Sequence, residues 1–218
     1  MKIVSTWLDN HRQIDYLKDL MSALEQVHSV YRKWSLHKFS PDGETEIIQD
    51  SYCERVFAYE LYHQIRLIME PKPGTIIERY NGVYINGEQV KTDCFFKNLF
   101  EGLFEVSDKF KEKGNKIIPD LVLHKDLGSV ESGDQIYLVE IKMGGNEDAL
   151  CDLSKLSFLK QSNLRFDLYV FVYVDKSIDT LKSELKKIDT NGLSNEIVCI
   201  CLVGEEAICY TLGDLLNN

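Results

Sequence analysis

Lys116-Ile-Ile-Pro-Asp-Leu-Val-Leu-His124 and Gln135-Ile-Tyr-Leu-Val-Glu-Ile-Lys-Met143 are the stretches whose reading decides the fold. Both are short, apolar and rich in β-branched residues, so they read as neighbouring strands. The stretch between them, residues 125–134, carries Gly128, Gly133 and several charges and reads as a hairpin-like connection. Side chains alternate along a strand, which places Glu140 and Lys142 on one face and Val139, Ile141 and Met143 on the other. Pro119 fixes the backbone just before Asp120 and removes one ladder N–H, which suits a strand that bends at a site. Charged side chains enter a core strand when they are paired, bind a metal or do chemistry. The competing reading is a surface ion pair on the exposed face of an edge hairpin.

Working outward, residues 10–35 carry Ile14, Leu17, Leu20, Met21, Leu24, Val27, Tyr31 and Trp34 at spacings of three and four, which predicts an amphipathic helix. The polar residues 35–50, with Pro41-Asp-Gly43, read as a loop, and a second helix is expected from Tyr52 to Met69, stopped by Glu70-Pro-Lys-Pro-Gly74. Thr75–Tyr80 and Val83–Ile85 read as a hairpin around a type I′ Asn81-Gly82 turn, ended by Asn86-Gly87. A helix is expected around Phe95–Phe110. Beyond Gly144-Gly145, Glu147–Gln161 reads as a helix with Leu150, Leu153, Leu156 and Leu159 inward. The run Arg165–Val174 reads as a strand buried on both faces, Ile178–Lys187 as a helix, Glu196–Val203 and Ala207–Leu212 as strands. This order is mixed α/β, a central sheet flanked by helices with an extra N-terminal helix.

Length and composition bound the function. At 218 residues the chain suits a single domain, and 44% hydrophobic with 28% charged residues is ordinary for a globular protein. No run approaches the ~20 apolar residues of a membrane span, and the first residues are too soon interrupted for a signal peptide. Six cysteines without a CxxC pair read as small core residues in a reducing cytoplasm, and the five histidines lack zinc-ligand spacing. A net charge of −10 argues against coating nucleic acid by bulk electrostatics, although bound cations can reverse the field locally. Lys109, Lys111, Lys113 and Lys116 precede Pro119, interleaved with Asp108 and Glu112; they read as a solvated segment or as phosphate contacts at the mouth of the site.

Pro119, Asp120, Glu140 and Lys142 together resemble the motif of the PD-(D/E)XK nuclease superfamily, the restriction-endonuclease-like fold. The resemblance covers roughly residues 52–175, leaving 1–45 as an N-terminal helical extension and 176–218 as a C-terminal helix and strands. It implies that Asp120 and Glu140, with the carbonyl of Ile141, hold Mg²⁺ (Mn²⁺ substituting), that Lys142 assists the attacking water, and that the substrate is nucleic acid, most simply DNA. A helical acid often precedes the strand motif in this superfamily. On the expected helix Glu60 falls about 40° from Val56, inside the apolar half, and is the first candidate for a third metal ligand and catalytic acid. A buried carboxylate bound to an arginine or a strand amide is the alternative. Glu54, at the border of the apolar arc, is the rival, or else an exposed acid in the first turn, where the macrodipole favours it. Lys155 is a candidate substrate contact or a solvated lysine, and His63 is read as packed by Tyr62. Three classes stay open: an Mg²⁺-dependent nuclease, a non-catalytic interaction module that kept the fold, and a phosphodiesterase for a small nucleotide. The oligomeric state is also open, a homodimer included.

Overall fold

Every residue of Leu168–Val174 is buried, because this strand lies in the middle of a seven-stranded sheet with helices on both faces. The computed structural model describes residues 1–9, 11–39, 45–51, 53–87, 119–125, 133–143, 149–161, 166–186 and 192–217. In chain order the sheet strands are β1 (Lys2–Ile3), β4 (Tyr84–Gly87), β5 (Leu121–His124), β6 (Gln135–Met143), β7 (Leu168–Val174), β8 (Val198–Val203) and β9 (Glu206–Thr211). They are ordered β1-β9-β8-β7-β6-β5-β4. β6, β7 and β8 run parallel, while β5 is antiparallel to both β4 and β6. β2 (Trp34–Phe39) and β3 (Thr45–Ser51) form a separate antiparallel pair.

Two apolar layers sandwich the sheet. On one face α2 (Ile14–Gln26) supplies Leu17, Leu20, Met21 and Leu24, and α3 (Glu54–Met69) supplies Phe57, Leu61, Ile65 and Met69. They meet Leu121, Val139, Ile141, Met143 and the valines of β7. On the other face α4 (Ala149–Gln161), α5 (Ile178–Leu185) and α6 (Leu212–Leu216) cover Val122, Leu138, Phe171 and Tyr173. A four-residue helix, α1 (Thr6–Asp9), links β1 to the first layer. Among the described residues no helix is long and apolar enough to cross a membrane.

The expected elements from β5 onward are present with ends that differ by a few residues, and Leu153, Leu156 and Leu159 are buried; Leu150 lies outside the described side chains, and the short α6 is not among the expected elements. Three expectations are corrected. The N-terminal helix stops at Gln26 rather than near Ser35, and the expected loop holds β2 and β3. In Trp34-Ser-Leu-His-Lys-Phe39 the apolar alternation holds only as far as Leu36 and changes phase before Phe39, so the period-two signal of a strand is broken there. Thr75–Tyr80 is not a strand; it ends in a 3₁₀ turn, Glu78–Tyr80. The Asn81-Gly82 turn is of type II rather than I′, since Asn81 keeps φ −64° and only Gly82 is positive at 71°. Its closing bond runs from the Val83 N–H to the Tyr80 carbonyl, 3.0 Å. The expected helix at 95–110 and the lysines at 109–116 lie outside the described residues.

Candidate functional site

β6 extends past the start of β5. The register Leu121↔Val139, Val122↔Leu138 continues by one step to set Asp120 opposite Glu140. The Asp120 N–H donates to the Val139 carbonyl, 3.0 Å, and among the described residues no backbone group on that side pairs with β6 beyond it. Amides facing that gap belong to alternate residues, Ile141 and Met143. Carboxylates satisfy both. Asp120 Oδ2 accepts from the Ile141 N–H at 2.7 Å, and Glu54 Oε1 accepts from the Met143 N–H at 3.4 Å. In a strand the N–H and C=O of one residue point to the same neighbour, so the Ile141 carbonyl faces the gap as well.

Glu140 and Lys142 share the face that looks towards α4, with Leu138 continuing the series inward. Their partners in the register on β7 are Phe171 and Tyr173, so aromatic rings floor the charges on one side. Glu140 is only 4% exposed. From above, the first turn of α4 brings Asp152, 5% exposed, between two lysines. Its Oδ1 lies 2.6 Å from Lys155 Nζ and its Oδ2 3.3 Å from Lys142 Nζ. Lys142 Nζ also lies 3.9 Å from Glu54 Oε1. Burial works against the charged form of Lys155, but the negative charges of Glu140 and Asp152 outweigh it and raise the ammonium above its ordinary range.

The structure therefore brings Asp120, Glu140, Ile141, Lys142 and Lys155 to one end of the sheet, joined by Glu54 and Asp152. It does not bring Glu60 into this set of contacts. The inward stripe of α3 runs Phe57, Leu61, Ile65 and Met69, and Leu67 is 48% exposed. Glu60 flanks that stripe and accepts from Gln64 Nε2 one turn on, 2.6 Å away. Six residues separate it from Glu54, about 9 Å along the helix axis. Glu54, in the first turn of α3, is the helical acid seen in contact with this end of the sheet, through the Met143 amide and Lys142. Asp152 was not among the sequence candidates; its i,i+3 spacing to Lys155 just after the strand motif was the available signal.

The oxygen donors suit a hard divalent cation. Among the described residues the cluster sets four carboxylates (Glu54, Asp120, Glu140, Asp152) against two ammonium groups, Lys142 and Lys155. Among the described residues no three His, Cys, Asp or Glu side chains group closely enough to hold a metal on their own. Two carboxylates and one carbonyl would be a partial shell, and Mg²⁺ ordinarily keeps several waters beside so few protein ligands. Comparison of the chain with protein-family models, curated proteins and solved structures finds no match.

Proposed function

We propose that the chain is a divalent-cation-dependent phosphodiesterase acting on nucleic acid, most simply DNA, of the PD-(D/E)XK type. The observation that carries this reading is the convergence of Asp120, Glu140 and Lys142 on one face where β6 outruns β5. Two facing carboxylates with no chemical task would cost the fold electrostatic repulsion; a cation between them turns that cost into binding. Asp120 and Glu140, with the Ile141 carbonyl, would hold Mg²⁺ or Mn²⁺. Such an ion, when bound, acidifies a water and offsets charge on the scissile phosphate. Lys142, one pleat from Glu140, orients the attacking water and stabilises the phosphate as negative charge grows on it. Hydrolysis forms one P–O bond from water and breaks one ester P–O bond, and the departing oxygen takes up a proton. Glu54 steadies this end by binding the Met143 amide and facing Lys142.

A non-catalytic module is the second reading, favoured by the net charge of −10 and by Lys142 already facing two carboxylates. Cleavage assays separate the two. Single-stranded, duplex and branched DNA are incubated at low salt, where few phosphate contacts still give usable affinity, with Mg²⁺ or Mn²⁺. Cleavage by the wild type that is lost in Lys142→Ala, with Mn²⁺ binding retained, supports the enzyme. Inactivity on every substrate, in a preparation that binds Mn²⁺ by calorimetry, moves the reading to the module. Activity unchanged in Lys142→Ala rejects the assigned chemistry.

A further inference from the structure

Asp152 has no task in the hydrolytic scheme above, yet it is nearly as buried as Glu140 and touches both lysines of the site. We infer that Asp152 is a positioning residue that holds Lys142 over the two acids and keeps Lys155 beside Glu140, an inference that rests on the phosphodiesterase reading. The geometry supports a clamp rather than a metal ligand. Each carboxylate oxygen already faces one ammonium group, Oδ1 to Lys155 at 2.6 Å and Oδ2 to Lys142 at 3.3 Å. Two cations brought to one spot repel each other, and a single carboxylate between them fixes their separation. The backbone that carries the clamp is rigid: α4 is anchored by Leu153 and Leu156, both fully buried one and four residues on.

A long unanchored lysine samples many rotamers and pays ordering entropy each time it acts. Glu54 cannot replace the clamp, because its oxygen is farther from Lys142, 3.9 Å, and is shared with the Met143 amide. Asp152 approaches from the α4 side and Glu54 from the start of α3, so the ammonium is held between two helices. Among the described residues the other charged groups near this pair are Glu140 and Lys155. The clamp also carries a consequence for Lys155. Held by Asp152, it adds its positive charge to the field at Glu140, so the acid is partly compensated before any cation arrives.

The test is Asp152→Asn, an isosteric change that keeps one acceptor and turns the other oxygen into a donor facing an ammonium group. Lysine acylation by an activated ester, read residue by residue by mass spectrometry, is normalised to the exposed Lys72 and Lys186. Loss of the carboxylate should raise acylation of Lys155 about tenfold, as the contact that holds and shields its ammonium group is released, with Lys142 rising alongside. In steady-state DNA cleavage kcat should fall about 100-fold, the scale of a misplaced catalytic group, while KM and the Mn²⁺ binding heat stay within about threefold. Where Asp152→Asn does not fold, Asp152→Ser serves, and the thermal transition of each variant is recorded first. Unchanged acylation of both lysines in a folded variant overturns the inference, whether or not the protein cleaves DNA. A loss expressed in KM alone also overturns it. An inactive wild type whose lysines become reactive in the variant keeps the clamp and removes only the phosphodiesterase reading.

Discussion

Replacing Asp120 separates its structural task from its chemical one. Its Oδ2 caps the Ile141 amide at 2.7 Å, where the β5 ladder has ended. Asp120→Ala removes that acceptor and strands a partly buried N–H, a cost of about 1–3 kcal/mol. Asp120→Asn keeps a carbonyl oxygen in place and forfeits only the charge-assisted share of the bond, about 1 kcal/mol. Both variants remove the negative charge that faces Glu140 across the strand pair. Opposed side chains sit about 5 Å apart, and at an effective dielectric of ~20 two like charges there repel by about 3 kcal/mol. The neighbouring lysines reduce this, so a relief of about 1 kcal/mol is a fair expectation. Asp120→Asn should therefore be as stable as the wild type, or slightly more so, in chelator near neutral pH. Asp120→Ala should be less stable than Asp120→Asn by about 1 kcal/mol, a difference in which the electrostatic relief cancels. Urea unfolding reads it directly: with a slope near 2 kcal/mol per molar, the two midpoints should lie about 0.5 M apart. Saturating Mn²⁺ should then invert the order. At one hundred times its dissociation constant the ion adds about 2.7 kcal/mol to the wild type and nothing to either variant. Identical midpoints for the two variants would refute the capping argument. Equal stabilisation of all three proteins by Mn²⁺ would refute the cation reading while leaving the capping intact.

Glu60→Gln should leave the Mn²⁺ heat unaltered and change stability by a few tenths of a kcal/mol, since its observed partner is Gln64 on the same helix. Glu54→Gln should instead lower the cleavage rate about tenfold by loosening Lys142; equal activities of the two variants would reject the assignment of Glu54 to the site. At the start of α6, burial pushes the Asp214 carboxyl up, but bonds from the Thr211 hydroxyl and amide and from Ser5 outweigh it and hold the group below the usual range. A depressed carboxyl stabilises the fold above its unfolded value of about 3.9 and loses that contribution as pH falls. Asp214→Asn should thus be less stable than the wild type near neutrality, and the gap should close in acid; a pH-independent gap in chemical unfolding rejects the linkage. Arg32, 4% exposed, donates to the Val27 and Gly204 carbonyls and lies 4.0 Å from Asp175. Arg32→Ala should cost about 3 kcal/mol of unfolding free energy through the carbonyls and carboxylate it leaves behind, and a loss under 1 kcal/mol would show that water replaces it at the Gly204 turn.

The sheet was legible in the sequence wherever both faces of a strand are buried or strictly alternate. Leu168–Val174 has no polar residue able to face water, and only a central strand accommodates it. Gln135–Met143 shows its two charges in register, which is enough to place Glu140 and Lys142 on one face before any coordinates. Legibility fails where tertiary context decides. Trp34–Phe39 pairs with Thr45–Ser51 through a ladder that breaks register between Leu36 and His37, and such a bulge blurs the period-two signal. The Asn81-Gly82 pair announces a turn but not its type, because Asn adopts either sign of φ and the turn here joins a 3₁₀ turn to a strand rather than two paired strands.

The helical acid shows most sharply what a projection leaves out. A helical wheel gives the angle of each side chain and discards its height along the axis. Glu60 has an angle near the apolar face, and on that ground alone it outranked Glu54. Height reverses the order. Glu54, in the first turn of α3, meets the Met143 amide at the sheet end that carries Asp120 and Glu140, and Glu60 stands about 9 Å further along the axis, bonded to Gln64. The first turn is also where an acid is least costly, since the amides of the helix start favour negative charge. The same reasoning applies to Asp152, which occupies the first turn of α4 on the opposite face of the sheet. Both helices thus present an acid from their opening turn to one lysine at the end of β6, at 3.9 Å and 3.3 Å. Neither acid belongs to the strand motif, and neither position follows from periodicity. Both follow from where the helices begin relative to the overrun of β6, a relation fixed by the packing of Phe57 and Leu153 in the two apolar layers. On this reading substitutions that shift either helix by a fraction of a turn would disturb Lys142 before they disturb the fold, because the lysine is held by charges at the helix starts and the fold by apolar stripes along their lengths.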